Sequence, residues 1–332
     1  MFDDKKIEIL SLYPEEIEAE PSYRRIQIFS WLGKRSAKTF SEMTNLPAGL
    51  RAELAERFTI AVPEETERRI SADGTEKILW TLHDGERIET ALMKYKHGTS
   101  VCISTQAGCR QGCAFCASGS HGLSRNLTAG EMLAQALYCG AAVNHVVLMG
   151  TGEPLDNFDQ TVRFLKLISH PEGRGLSLRN VSLSTCGDAE GIRKLAELKV
   201  PVTLSVSLHA PDNETRNRLM PVNRKIPVEE LMGACLNYFQ ITGRRISYEY
   251  VIIDGINDSP AHARKLAALL RKQAAHVNLI PVNPVPGKPF KQPDKDTIAK
   301  FVRGLGSIPV TVRRTLGSDI GAACGQMRST KT

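Results

Sequence analysis

No run of apolar residues in the sequence approaches the ~18 that a membrane-spanning helix requires. Met1 to Leu10 also lacks the apolar core of a signal peptide. Membrane insertion and secretion drop out, and a cytoplasmic protein with no membrane partner is expected. There is no internal repeat, low-complexity tract or long linker, so nothing suggests a repeat array. Disorder is excluded by composition: 42% of the 332 residues are hydrophobic and 24% charged, ordinary values for a chain with a sizeable core. That length exceeds one usual domain and suggests two units or one large barrel with additions. The eight cysteines then sit in a reducing compartment, where a cluster more readily binds metal or reacts than forms structural disulfides.

Positive charge is in excess and unevenly placed. Residues 1–98 hold 15 basic and 18 acidic side chains, a net of −3, whereas residues 99–332 hold 28 and 18, a net of +10. A positive field on the larger part suits a polyanionic partner, because phosphate neutralisation drives sequence-independent nucleic-acid binding. Solubility alone is the competing explanation.

Periodicity divides the chain into three parts. Residues 1–65 read as a helical accessory domain. From Tyr23 the apolar positions Ile26, Phe29 and Leu32 recur at helical spacing beside Arg24, Arg25, Lys34 and Arg35, whose ordinary role is a solvated face. Asn45 is the expected cap of a second helix, with Pro47 in its first turn and Leu50, Leu54 and Phe58 at intervals of four. Residues 66–98 read as a β meander, with the turn dipeptides Asp73-Gly74 and Asp84-Gly85 around the run Ile78–Leu82. From 99 to 332 strand-like runs at Val146–Met149, Val181–Ser184, Val202–Ser207, Ile246–Ile252, His276–Ile280 and Pro309–Arg313 alternate with amphipathic helices. Thr128 and Glu131 make a capping box for one helix, and Pro227 opens another. The alternation implies an α/β fold whose parallel sheet is open or curled into a full or partial barrel.

The strongest chemical signal is the C-x3-C-x2-C run of Cys109, Cys113 and Cys116. Three thiolates this close converge on one metal centre with little loop entropy to overcome. Two centres fit: a zinc knuckle completed by Cys102 or His121, and a four-cysteine iron–sulfur cluster using Cys102. The segment Gly150-Thr151-Gly152-Glu153-Pro154 follows one strand, Ser184-Thr185 ends the next, Ser207-Leu208-His209 ends a third and Asn283 to Gly287 follows a fourth. In a parallel barrel these strand ends bind ligand, so small polar residues gathered there imply a pocket for a polar molecule. Cys324 lies in a loop of small residues, which gives access to its sulfur. Cys139, Cys186 and Cys235 fall in helix or strand patterns, and small buried hydrophobes are expected there.

The cysteine run resembles the cluster motif of radical S-adenosylmethionine enzymes. The longer match is similar to their RlmN branch, the adenine carbon-2 methyltransferases of 23S rRNA and tRNA. It is carried by Val101 to Cys109, by Gly152-Glu153-Pro154-Leu155, Ser207 to Pro211 and Ala322 to Gln326, and in the N-terminal part by Tyr23-Arg24-Arg25 and Phe40 to Thr44. One position departs: Thr151 stands where many relatives have methionine. The resemblance implies a partial (βα)6 radical SAM barrel and one 4Fe-4S cluster on Cys109, Cys113 and Cys116, with S-adenosylmethionine on the fourth iron. Gly152, Glu153, Ser184, Ser207, Leu208, His209 and Asn283 would hold that cofactor. Cys324 would become S-methylated, Cys102 would be the resolving thiol that closes a transient disulfide with it, and Glu89 the proton acceptor.

Carbon 2 of adenine is no nucleophile, which rules out ordinary displacement on a methyl sulfonium. By resemblance, two S-adenosylmethionines are used per turnover: one methylates Cys324 and the second yields a radical that activates that methyl group. The implied substrates are an adenine of the peptidyl transferase centre in 23S rRNA and the anticodon-adjacent adenine of tRNA. A flavodoxin-type reductase system as electron donor and a monomeric state are also implied. Two rivals stand beside this: carbon-8 methylation of the same rRNA adenine (Cfr-type), which shares the cluster and both cysteines, and a non-catalytic metal-bearing RNA-binding assembly factor.

Overall fold

A computed structural model describes residues 6–96, 98–120 and 122–327. His121, one of the alternative zinc ligands, lies outside the described residues. The N-terminal part contains β1 (Ile7–Glu8), α1 (Tyr23–Gly33), α2 (Ala48–Arg57) and β2 (Phe58–Thr59), with β1 and β2 paired in parallel. Helix α1 buries Ile28, Phe29 and Leu32, but Ile26 is turned outward at 38% exposure, so the packed stripe is narrower than the spacing suggested. Asn45 does not cap α2. Its Oδ1 accepts instead from the Trp31 indole N–H, and α2 starts directly behind Pro47 without a side-chain cap. The basic residues of α1 find partners within the protein: Arg24 bonds the Asn45 carbonyl, Arg25 pairs with Glu20, Lys34 with Glu172, and Arg35 stacks on Trp31.

Three antiparallel strands follow, β3 (Glu64–Ile70), β4 (Glu76–Thr81) and β5 (Arg87–Tyr95). In their turns the Asp73 and Asp84 carboxylates accept the N–H of the residue two further on, a local bond that fixes the reversal. Next come β6 (Gly98–Cys102), a short hairpin of β7 (Gln106–Gly108) and β8 (Leu123–Asn126), α3 (Ala129–Tyr138), β9 (Val143–Leu148), α4 (Phe158–Ser169), β10 (Val181–Thr185) and α5 (Ala189–Leu198). The chain continues through β11 (Thr203–Ser207), α6 (Asn213–Leu219), α7 (Val228–Thr242), β12 (Ile246–Ile252), α8 (Pro260–Leu270), β13 (Ala275–Pro281), α9 (Lys295–Gly304) and β14 (Val310–Val312).

Among the described residues one sheet of ten strands runs β14-β13-β12-β11-β10-β9-β6-β5-β4-β3. Pairing is parallel from β14 to β6 and antiparallel from β6 to β3. Strands β6 and β9 to β13, each followed by helix, make the six strand–helix units of a partial radical SAM barrel, and β14 adds a seventh parallel strand. The meander is continuous with this sheet, because β5 zips along β6 from Tyr95–Gly98 to Ala91–Cys102.

Helix starts are set by local chemistry. Thr128 and Glu131 form the reciprocal capping box of α3, and the side chains of Asp188, Asp212, Ser259 and Asp294 accept the third N–H of α5, α6, α8 and α9. Each such cap stabilises its helix by about 1 kcal/mol. Strand alternation then decides what faces inward. On β12, Tyr248 and Tyr250 point to the helical layer, where Tyr250 packs on Phe301 of α9, while Glu249 and Val251 point to the barrel interior. Ser184, Ser207 and Glu249 put small or polar groups on that interior, which leaves room at its mouth.

Candidate active site at the strand ends

The loop between β7 and β8 carries the three cysteines. Gly108 has φ +80°, and a Cβ there would overlap the Gly122 carbonyl oxygen, which accepts the Cys109 N–H at 2.8 Å. Only glycine closes the loop in this way. Two backbone bonds anchor the loop from outside: Ala114 N–H to Leu219 O at the end of α6, and Ala117 N–H to Gly325 O, both 2.8 Å. Cys109, Cys113 and Cys116 line one cavity. Burial pushes the Cys109 thiol up to about 11 and Cys113 further, and the neighbouring thiols add to both shifts. Among the described residues no three His, Cys, Asp or Glu side chains gather tightly enough to hold a single ion. Three soft thiols round one cavity wall fit an iron–sulfur cluster, and bonding to iron would relieve the protonation that burial enforces on Cys109 and Cys113. Cys102, offered above as a fourth ligand, does not line this cavity.

The same cavity is walled by Gly152, Glu153, Ser184, Ser207, His209 and Asn283. Gly152 has φ +112°, and a Cβ would stand 2.7 Å from Gln106 Cβ. Glu153 is fully enclosed. Its Oε1 accepts from Leu155 N–H (3.0 Å) and its Oε2 from Cys186 N–H (2.6 Å), yet burial outweighs these bonds and raises the carboxyl to about 7. His209 adopts φ +56°, held by bonds from its own N–H to Glu249 O and from Asn257 Nδ2 to its carbonyl. Its Nδ1 accepts from Val251 N–H at 3.0 Å, which assigns the ring proton to Nε2. Burial, aided by Arg216, drives its pKa down to about 3, so the ring is neutral. Phe115 meets it edge to face at 4.9 Å. The backbone strain at His209 is of the kind that clusters at ligand sites. Leu208 is the exception in the expected set: its side chain lies in the main core, and only its backbone serves the strand end.

A second cavity adjoins the first. It is lined by Ala91 and Met93 of β5, Cys102 at the end of β6, Arg313 and Cys324, and it shares Cys116, Asn283 and Cys324 with the first. Cys102 and Cys324 are both free thiols, the first buried and the second exposed. Burial pushes Cys102 up to about 12 and Cys324 adds to that, while the charge of Arg313 acts in the opposite sense. The Cys324 carbonyl is held by Asn283 Nδ2 at 3.0 Å, and Gln326 Nε2 bonds Pro284 O at 2.8 Å. On the other side Asp319 bonds Ser71 Oγ (2.6 Å), Gly317 N–H bonds Asp73 (2.8 Å) and Lys77 Nζ reaches Gly321 O (3.3 Å). Glu89 lies on the cavity-facing side of β5, two residues before Ala91, without lining the cavity; it pairs with Lys77 at 3.0 Å, both side chains nearly buried.

Three contributors escaped the sequence reading. Cys186 is buried as expected, but it stands just beyond β10 in the cavity wall, with its N–H on Glu153; its place one residue past Ser184-Thr185 was the available signal. Gln106 orients the Glu153 loop through its Oε1, which accepts Glu153 N–H at 2.8 Å. Arg313 follows the short strand β14 and carries no motif.

Residues 103–267 match the model of the Radical SAM superfamily, and residues 8–60 that of the Ribosomal RNA large subunit methyltransferase N-terminal domain. With three thiols on the β7–β8 loop inside the first of six strand–helix units, this defines a radical S-adenosylmethionine protein. The chain is 45% identical, over 98% of its length and 97% of the relative's, to a probable dual-specificity RNA methyltransferase RlmN of Desulforamulus reducens. It is 48% identical, over 90% of its length and 96% of the relative's, to the protein so named from Desulforudis audaxviator. The crystal structure of a radical SAM methyltransferase from Sphaerobacter thermophilus matches with a TM-score of 0.93 at 43% identity, covering 97% of this chain and 99% of that one. The chain belongs to the RlmN family of radical S-adenosylmethionine methyltransferases. No helix among the described residues is long and apolar enough to cross a membrane.

Proposed function

We propose that this protein methylates carbon 2 of one adenine in 23S rRNA, at the peptidyl transferase centre, and of the anticodon-adjacent adenine in tRNA, through a methyl group carried on Cys324. The observation that carries the reading is the position of Cys324: it borders both the cavity of Cys109, Cys113 and Cys116 and the cavity of Cys102. A sulfur there would stand between the cofactor and the resolving thiol.

Cys109, Cys113 and Cys116 would hold a 4Fe-4S cluster, and Gly152, Glu153, Ser184, Ser207, His209 and Asn283 would enclose S-adenosylmethionine, with Leu208 contributing backbone only. When bound, the cluster and cofactor supply the radical that activates the methyl group on Cys324. The remaining steps belong to the chain's own residues. Asn283 and Gln326 fix the backbone of the Cys324 loop, so that the sulfur keeps its place between the cavities. Glu89 accepts the carbon-2 proton, oriented by Lys77. Cys102 then attacks the Cys324 sulfur: the bond from that sulfur to the carbon bridging it to adenine breaks, the carbon keeps the electron pair and takes up a proton to become the methyl group, and the two cysteines are joined in a transient disulfide. Burial keeps Cys102 protonated beforehand, and Arg313 favours its thiolate when the attack falls due. Two S-adenosylmethionines are consumed per turnover, one for each role. The enzyme works as a cytoplasmic monomer with electrons from a flavodoxin-type donor, and the net +10 of residues 99–332 draws RNA phosphates toward the site.

The deciding experiment is mass spectrometry of nucleosides from unmodified 23S rRNA and tRNA, incubated with anaerobically reconstituted protein, reductant and S-adenosylmethionine. 2-Methyladenosine is expected. 8-Methyladenosine would replace the carbon-2 assignment by the Cfr-type reaction, and neither product, despite an intact cluster and cofactor cleavage, would refute the substrate.

A further inference from the structure

Helix α6 contains Arg216, which is fully buried at 0% exposure. Its guanidinium makes five hydrogen bonds, every one to a neutral oxygen: Nε to Leu208 O (3.1 Å), one terminal nitrogen to Asn223 Oδ1 (2.9 Å) and Ile226 O (3.5 Å), the other to Cys186 O (2.6 Å) and Ser207 O (3.3 Å). Among the described residues no carboxylate pairs with it; the thiols of Cys186, Cys113 and Cys235 interact with its charge, which also disfavours a proton on His209. Burying a cation without a counter-charge costs several kcal/mol, and a cage of carbonyl dipoles offsets only part of that.

The position of this cation is specific. Three of its five acceptors, the carbonyls of Cys186, Ser207 and Leu208, belong to the ends of β10 and β11, and Cys186 and Ser207 line the cysteine-lined cavity. The last residue of its own helix accepts the Ala114 N–H from inside the cysteine run, and Leu219 and Met220 pack with Phe115, Cys113 and Cys116. A cluster held by three thiolates is anionic and gains a further negative charge on reduction. A fixed positive charge behind the cavity wall stabilises the reduced form more than the oxidised one.

We infer that Arg216 is the buried counter-charge of the iron–sulfur centre and raises the potential at which that centre accepts its electron. The inference rests on Cys109, Cys113 and Cys116 being the ligands of that centre. Arg216 is thus a tuning residue that acts through charge and touches no substrate.

The test is an EPR-monitored redox titration of the full-length, anaerobically reconstituted protein, with dithionite as titrant and iron and sulfide content measured on each sample. Arg216→Gln keeps hydrogen bonding but removes the charge. At the potential that half-reduces the wild type, its reduced-to-oxidised ratio is expected to fall about tenfold or more, the effect of one unit charge within about 12 Å at an effective dielectric of ~20. Arg216→Lys keeps the charge and is expected to titrate near the wild type. Asn223→Asp leaves the arginine in place and sets a carboxylate on it, so it should shift in the same direction as Arg216→Gln. Equal shifts in Arg216→Gln and Arg216→Lys, or none in Arg216→Gln, would overturn the inference. If Arg216→Gln loads no cluster, an unshifted Asn223→Asp overturns it and a shifted one supports it. A wild-type protein that incorporates no iron would remove the ligand assignment and the inference together, before any potential is read.

Discussion

Glu153 and His209 line the same cavity and couple its stability to pH in opposite senses. The Glu153 carboxyl stands at about 7 in the folded protein against an ordinary 4.5. Between those values the native state keeps a proton that the unfolded chain has released, so this residue's stabilising contribution is full below 4.5 and is lost as the pH rises through 7. His209 stands at about 3 against an ordinary 6.5. Between those values the unfolded chain takes up a proton that the native state refuses, so stability is lost as the pH falls from 6.5 toward 3. Taking the pH from 7 to 5 therefore adds about 2 kcal/mol through Glu153 and removes about 2 kcal/mol through His209. The two nearly cancel, and each should become visible when the other is removed. His209→Asn is the suitable first perturbation, because asparagine tolerates positive φ and its Oδ1 can accept the Val251 N–H. Relative to wild type, its unfolding free energy should rise by about 2 kcal/mol between pH 7 and pH 5, and that of Glu153→Gln should fall by about as much. Urea unfolding of the reduced, iron-free proteins, followed by circular dichroism at both pH values, measures this as a difference of differences, which cancels the fixed cost of each substitution. If all three proteins showed parallel pH dependence within about 0.5 kcal/mol, the burial argument for both residues would be refuted.

Three further outcomes are expected. Cys102→Ala should accumulate a covalent protein–RNA adduct on denaturing gels, whereas Cys324→Ala should give neither adduct nor methylated nucleoside; normal turnover by Cys102→Ala would dismiss the resolving role. Gly108→Ala should lose iron and lower the melting temperature, because left-handed backbone costs a side chain about 1–2 kcal/mol and the added carbon overlaps the carbonyl that closes the cysteine loop. Full iron content in that variant would show the loop to be more pliable than its hydrogen bonds imply. RNA affinity should drop steeply between low and physiological salt as the basic part of the chain releases counterions, and a flat response would assign the charge to solubility instead.

Features written in contiguous text were legible in the sequence. The capping box of α3, the two Asp-Gly turns and the strand ends at Ser184 and Ser207 each rest on chemistry local to a few residues, and the structure has them where the text suggests. Asn45 failed for a tertiary reason, since an indole donor across the N-terminal part competes for the oxygen that a helix N-terminus would otherwise use. Arg216 carries no signal in the sequence because it stands in a polar run from Asn213 to Leu219, and only the closure of two strand ends around it makes it interior. Cys186 was read for burial alone, since periodicity says how deep a residue lies and nothing about which cavity it borders. The continuity of the meander with the barrel depends on the register of β5 on β6, which no composition shift announces.

The loop that bears Cys324 is tied to a turn 244 to 248 positions earlier in the chain, through Lys77, Asp73, Ser71 and Asp319. During synthesis the three clustered thiols and Cys102 emerge roughly two hundred residues before Cys324 does. A nascent protein can thus build most of its sheet while it still lacks the sulfur that would carry the methyl group on the proposed mechanism. On the proposed mechanism, the catalytic sulfur would therefore be the last part of the site to be laid in place, against the first hairpin.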